Sequence, residues 1–149
     1  RGLAYSVYSY PSSYKNTGMF TIYAGMKPSQ TEQVIRLILE EMSRILEHGV
    51  EMKEFQRAKE QLKGNYILGL ESTSSRMSAI GKSQLLLNKV HSPQEIIQKI
   101  ESVSIEDLRT VISQVFDFNR LSAAVVGKLE NGLDIEKCLG IRGSAYVEG

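Results

Sequence analysis

At 149 residues and 16.7 kDa, with 42% hydrophobic and 23% charged residues, the chain has the composition of a globular domain rather than a disordered, collagen-like or membrane-spanning one. The 18 Lys and Arg against 17 Asp and Glu leave a net charge of +1, which provides no global field for nucleic acid, an anionic membrane or a polyanionic substrate. Neither nucleic acid nor membrane is therefore an expected partner.

One compact domain is the default at this length, and a folded chain of this size buries roughly 68–70% of its extended surface, enough for a core without staples. The single cysteine, Cys138, excludes an intramolecular disulfide and an all-cysteine zinc site. It fits a reducing compartment, and a cytoplasmic location is expected. No run of about 18 apolar residues is present, and Tyr5, Ser6, Tyr8 and Tyr10 make the N-terminus unlike a signal peptide. Arg1 opens the chain without an initiator Met and leads straight into a strand-like segment, so a part of a longer protein, cut at its N-terminal side, is expected.

Leu3 to Tyr10 alternates as a strand, with Leu3, Tyr5 and Val7 on one face and Ala4, Ser6 and Tyr8 on the other. Pro11 to Thr17 supplies turn residues, and Gly18 to Met26 resumes a strand pattern, which predicts an antiparallel hairpin. Ser29 and Glu32 have capping-box spacing, so a helix is predicted to start at Ser29 and to end at His48-Gly49. A second helix is predicted from about Glu51 to Leu70 on Phe55, Ala58, Leu62, Tyr66 and Leu70, with a solvated face of Glu54, Arg57, Lys59, Glu60 and Lys63.

Ser72-Thr73-Ser74-Ser75 favours caps over helix interior and predicts a kink or a fresh N-cap before a third helix over about 75–87. Gly64, Gly69 and Gly81 each weaken a helix by about 0.8–1 kcal/mol relative to Ala, which suggests close packing against another element. Ser92-Pro93-Gln94-Glu95 and Ser104-Ile105-Glu106-Asp107 signal two further helices, near 93–101 and 105–117. Arg120 to Val126 reads as a buried strand ended by Gly127; beyond it the signals weaken, apart from a helical turn over 135–139. The order β-β-α-α-α-α-α-β predicts an α+β fold, an antiparallel or mixed sheet covered on one face by helices.

The residues carry little overt chemistry. Two histidines, His48 and His91, have no metal-ligand spacing, and no HExxH-like run occurs. His48 is expected to serve a helix C-terminus and His91 to lie in a surface loop. The serines lie in turn and cap contexts, with no Gly-x-Ser-x-Gly elbow, and Cys138 has no histidine beside it in sequence. No catalytic and no metal-binding residue is expected within this chain.

Two segments nonetheless resemble a known family. Arg1-Gly2-Leu3-Ala4-Tyr5-Ser6-Val7-Tyr8-Ser9 is similar to a strand in the C-terminal half of pitrilysin/insulinase-type zinc metallopeptidases of the processing-peptidase-like kind. The run from Leu62 to Met77, Leu-Lys-Gly-Asn-Tyr-Ile-Leu-Gly-Leu-Glu-Ser-Thr-Ser-Ser-Arg-Met, is similar to a long helical segment of the same domain. The resemblance covers about 1–127 and implies most of a zinc-free C-terminal half-domain, with 128–149 as a tail.

The resemblance implies two similar α+β halves that close around a peptide, with zinc held in the other, N-terminal half by an inverted His-x-x-Glu-His motif. It implies that Tyr5 contacts the substrate backbone, paired with an Arg seven residues earlier, a position that precedes this chain. The function so implied is the substrate-clamping half of a zinc-dependent endopeptidase, inactive alone. A scaffold or peptide-binding family member is the alternative. The implied partners are a peptide substrate and the N-terminal half-domain, on the same chain or a partner subunit; a second copy of the chain is a further candidate.

Overall fold

The computed structural model describes residues 2–128 and 134–140. In chain order it contains β1 (Ala4–Ser13), β2 (Gly18–Met26), a 3-10 turn (Pro28–Gln30), α1 (Thr31–His48), α2 (Met52–Gly69), α3 (Thr73–Leu87), α4 (Pro93–Ser102), α5 (Ile105–Val115), a 3-10 turn (Phe118–Arg120) and α6 (Ile135–Leu139). The fold is α+β, a two-stranded antiparallel sheet with six helices. Its contacts gather into two compact units rather than one. The first holds the hairpin strands, α1, the end of α5 and α6; the second holds the hairpin turn, α2, α3, α4 and the start of α5.

Tyr14 N–H donates to Thr17 O at 2.8 Å across the hairpin turn, and β1 continues through Pro11 to Ser13. The turn is thus shorter than Pro11–Thr17. Pro11 is tolerated there because an edge strand can leave one side of its backbone unpaired. α1 lies beside β2 and α6, and the Phe20 and Phe116 rings meet at 5.7 Å. Thr31, Val34 and Met42 are buried along α1.

The expected Ser29 capping box does not form. A 3-10 turn takes up Pro28–Gln30, and Thr31 Oγ1 instead donates to Pro28 O at 2.9 Å. The other end is as predicted: Gly49 has φ 71°, a conformation that suits glycine, and its N–H closes on Ile45 O at 2.9 Å.

In the second unit, Phe55 and Ile105 are buried. Lys59, expected on a solvated face, instead reaches the carbonyls of Glu101 and Val103 at 2.7 and 2.8 Å, with its ammonium 5.2 Å from the Phe55 ring centre. Lys63 bridges Glu60 at 2.7 Å and Glu101 at 3.2 Å. These contacts fasten α2 to the α4–α5 corner. Ser72 caps α3, as its run of hydroxyl residues predicts, by accepting from Ser75 N–H at 3.2 Å. Ser92 and Glu95 complete a reciprocal capping box at α4, and Ser104 and Asp107 make the same exchange at α5.

Three expectations fail. Residues 121–126 form no strand, because no ladder partner lies beside them among the described residues, and Val126 is fully exposed. An extended apolar segment becomes a strand only when a neighbour takes up its N–H and C=O groups. Gly64, Gly69 and Gly81 do not sit at close contacts: a Cβ on each would meet open space. The buried apolar set is also small, limited among the described residues to Val34, Met42, Phe55 and Ile105.

Candidate functional site

Tyr5 lies on β1, where the pairing is irregular. Ala4 faces Met26 and Ser6 faces Gly25, so Tyr5 is an extra residue without a cross-strand partner, a β-bulge. The bulge resets the alternation. Met26 and Ala24 share a face of β2, so their partners Ala4 and Val7 share a face of β1 although three residues separate them. Strict alternation of Leu3, Tyr5 and Val7 against Ala4, Ser6 and Tyr8 therefore does not hold. A bulge frees a side chain from the ladder and re-aims it, and Tyr5 is 75% exposed. Its phenol is a donor set at the end of a paired strand, open to a ligand.

Beyond the bulge, Tyr8 pairs directly with Tyr23, and their rings stack at 4.7 Å and 24°. Tyr10, two residues on and on the same face, stacks against Tyr8 at 6.0 Å and 30°. Gly25 makes room for this arrangement, since a Cβ there would lie 3.0 Å from Ser6 Oγ and 3.6 Å from Tyr23 Oη. Neither strand contains an Asp, Glu, Lys or Arg.

The histidines stand apart from the hairpin site in role. His48 is the last residue of α1, exposed, with Nε2 4.0 Å from Glu47. His91, expected in a surface loop, is mostly covered: Nε2 lies 3.0 Å from Lys99 Nζ and Nδ1 3.9 Å from Glu95. The capping box at α4 draws Glu95 back over this entry segment, which explains the covering. Cys138, on α6, is held partly covered, and burial together with the charge of Glu32 pushes its thiol pKa up, so it is a poor nucleophile. Among the described residues no three His, Cys, Asp or Glu gather to hold a metal.

These observations describe an α+β fold with an exposed tyrosine at a strand bulge and, among the described residues, no group of metal ligands. Residues 1–62 match the family described as Peptidase M16 inactive domain. The chain is 41% identical over 131 residues to an uncharacterized zinc protease of Streptomyces coelicolor, covering 88% of this chain and 28% of that protein. It is 44% identical over 116 residues to the uncharacterized zinc protease YmxG of Bacillus subtilis, covering 78% of this chain and 28% of that protein.

A chain in the structure of complex III2 from Candida albicans, Inz-5 bound, shares the fold at a TM-score of 0.65 and 24% identity, over 72% of this chain and 26% of that chain. The chain belongs to the pitrilysin-like M16 peptidase family and is part of its C-terminal half. It spans about 28% of the length of these curated relatives.

Proposed function

We propose that this chain is the substrate-clamping, zinc-free half of a zinc-dependent endopeptidase, and that Tyr5 is its contact to the peptide backbone. The observation that carries the reading is the bulge, which sets Tyr5 without a cross-strand partner on an otherwise laddered strand, where it is 75% exposed. The relatives named as zinc proteases support a peptidase setting. The described residues do not fit a zinc site, so this reading assigns the metal to the N-terminal half and routes no step of this chain's chemistry through it. When bound there, zinc would supply water activation.

Tyr5 acts by donating its phenolic O–H to the carbonyl oxygen of the peptide unit under attack. The oxygen gains negative charge in the transition state, so the hydrogen bond strengthens as the reaction proceeds. The hairpin holds the donor in place because residues 6–13 are paired with 18–25. The proposed partners are the peptide and the N-terminal half-domain; the proposed location is the cytoplasm, in keeping with a single cysteine. Among the described residues no helix is long and apolar enough to cross a membrane.

The test is Tyr5→Phe in the full-length protein. Loss of one such donor lowers kcat by about 100-fold or more, and the urea midpoint is expected to stay within error because the phenol is exposed. Unchanged kinetics would return Tyr5 to a purely structural place in the sheet. Absence of chelator-sensitive cleavage in the unsubstituted full-length protein would favour a scaffold or peptide-binding subunit.

A further inference from the structure

We infer that the Tyr8–Tyr10–Tyr23 stack is a recognition surface for apolar or aromatic side chains of an extended peptide running along β1. This inference rests on the reading of the chain as the peptide-handling half of an M16 protein. Three observations carry it: the rings are stacked in advance, they remain half-exposed, and the strands that bear them are uncharged.

The Tyr8–Tyr23 pair at 4.7 Å and the Tyr8–Tyr10 pair at 6.0 Å fix one another's orientation before any ligand arrives. A tyrosine has few rotatable bonds, so a pre-stacked set binds with little further loss of conformational freedom. The exposures are 52%, 42% and 46% for Tyr8, Tyr10 and Tyr23, which leaves ring surface in water that a bound side chain would cover.

The occupant follows from charge and length. With no Asp, Glu, Lys or Arg on either strand, a carboxylate pressed against the rings would lose water without gaining an ion partner, and an ammonium would have only the ring faces to offset the same loss. A phosphate-bearing ligand is disfavoured for the same reason. An aliphatic or aromatic side chain loses nothing of that kind and gains ring contact.

A strand rises about 3.3 Å per residue, which places Tyr8 roughly 10 Å and Tyr10 roughly 17 Å along β1 from Tyr5. An extended peptide has the same rise. A peptide held at Tyr5 therefore presents side chains three and five residues away to Tyr8 and Tyr10, and these two positions point to one side because they are two residues apart.

The experiment uses the full-length protein, with zinc removed by chelator so that peptides stay intact, and fluorescence anisotropy of labelled Gly/Ser peptides. Each peptide carries two Phe, two Leu, two Asp, two Lys or two Ala residues spaced two apart. The Phe and Leu pairs are expected to bind at least fivefold tighter than the Asp and Lys pairs. Tyr10→Ser is expected to weaken the Phe-pair peptide roughly three- to tenfold while leaving the Ala-pair peptide unchanged. Tyr10→Phe keeps the ring and should keep the preference, which separates lost recognition from a damaged fold.

Equal binding of charged and apolar pairs, or a preference that survives Tyr8→Ser with Tyr10→Ser, overturns the inference. Zinc-dependent cleavage without any side-chain preference would remove the aromatic surface and leave the Tyr5 clamp standing. The preference without cleavage by the zinc-loaded protein would do the reverse.

Discussion

Single side chains in this protein do different work from what their type suggests. Lys59 belongs by composition to a charged, solvated helix face, yet its ammonium satisfies two carbonyls at the end of α4 and lies 5.2 Å from the Phe55 ring centre. Lys59→Met keeps the stem and removes the donor, leaving Glu101 O and Val103 O without it. The expected cost is about 1–2 kcal/mol, near the value of a hydrogen bond to a charged group less some screening at a partly exposed site. Urea denaturation checks this, and a midpoint equal to that of the unsubstituted chain would show that water replaces the ammonium. Tyr5 makes the same point for function. Its aromatic type is visible in the sequence, but its place outside the ladder depends on a pairing offset that only the partner strand creates.

At the scale of elements, local signals were legible wherever the deciding contacts lie within a few residues. The boxes at Ser92/Glu95 and Ser104/Asp107, the Ser72 cap and the Gly49 stop all form. The Ser29 box did not, because the Pro28–Gln30 turn places Thr31 rather than Ser29 at the hydrogen-bonding position.

The two formed boxes make the helix starts acid-sensitive. Backbone and hydroxyl donors of Ser92 hold the Glu95 carboxyl below its usual pKa, and the Ser104 hydroxyl and N–H do the same for Asp107. A depressed folded-state pKa gives a contribution present above the unfolded value and lost as pH falls through the folded one. Helicity of α4 and α5 is therefore expected to fall as the pH drops below the ordinary carboxylate range. Glu95→Gln with Asp107→Asn should flatten that fall when helicity is followed by circular dichroism from pH 7 to 2, and an identical acid transition would dissociate the boxes from it.

Lys63 behaves oppositely. Its pKa is raised, first by its hydrogen bonds to Glu60 and Glu101, so its contribution is fully present below the ordinary lysine pKa and disappears as pH climbs through the raised one.

For the whole molecule, the distribution of burial matters most. α3 buries no residue, and Leu85 and Leu87 near its C-terminal end remain largely in water. The open space above Gly64, Gly69 and Gly81 fits the same picture. Among the described residues no group of metal ligands is assembled. In a calorimetric zinc titration of the 149-residue chain, no stoichiometric tight uptake is expected, since two histidines and one cysteine are its whole stock of strong nitrogen and sulfur ligands and His48 is the exposed end of α1. One-to-one tight binding would contradict the zinc-free assignment.

The sequence by itself determined the class, the order of hairpin and helices, and most helix starts and stops, because periodicity and capping act over one to four residues. The strand of 121–126 and the packing around the helical glycines were beyond its reach, since both require a neighbour that local pattern does not name. Tertiary structure alone decided that Tyr5 falls at a bulge and that Tyr8, Tyr10 and Tyr23 come together. A one-residue offset between strands moves every side chain beyond it to the other face, and nothing in either strand taken singly records the offset.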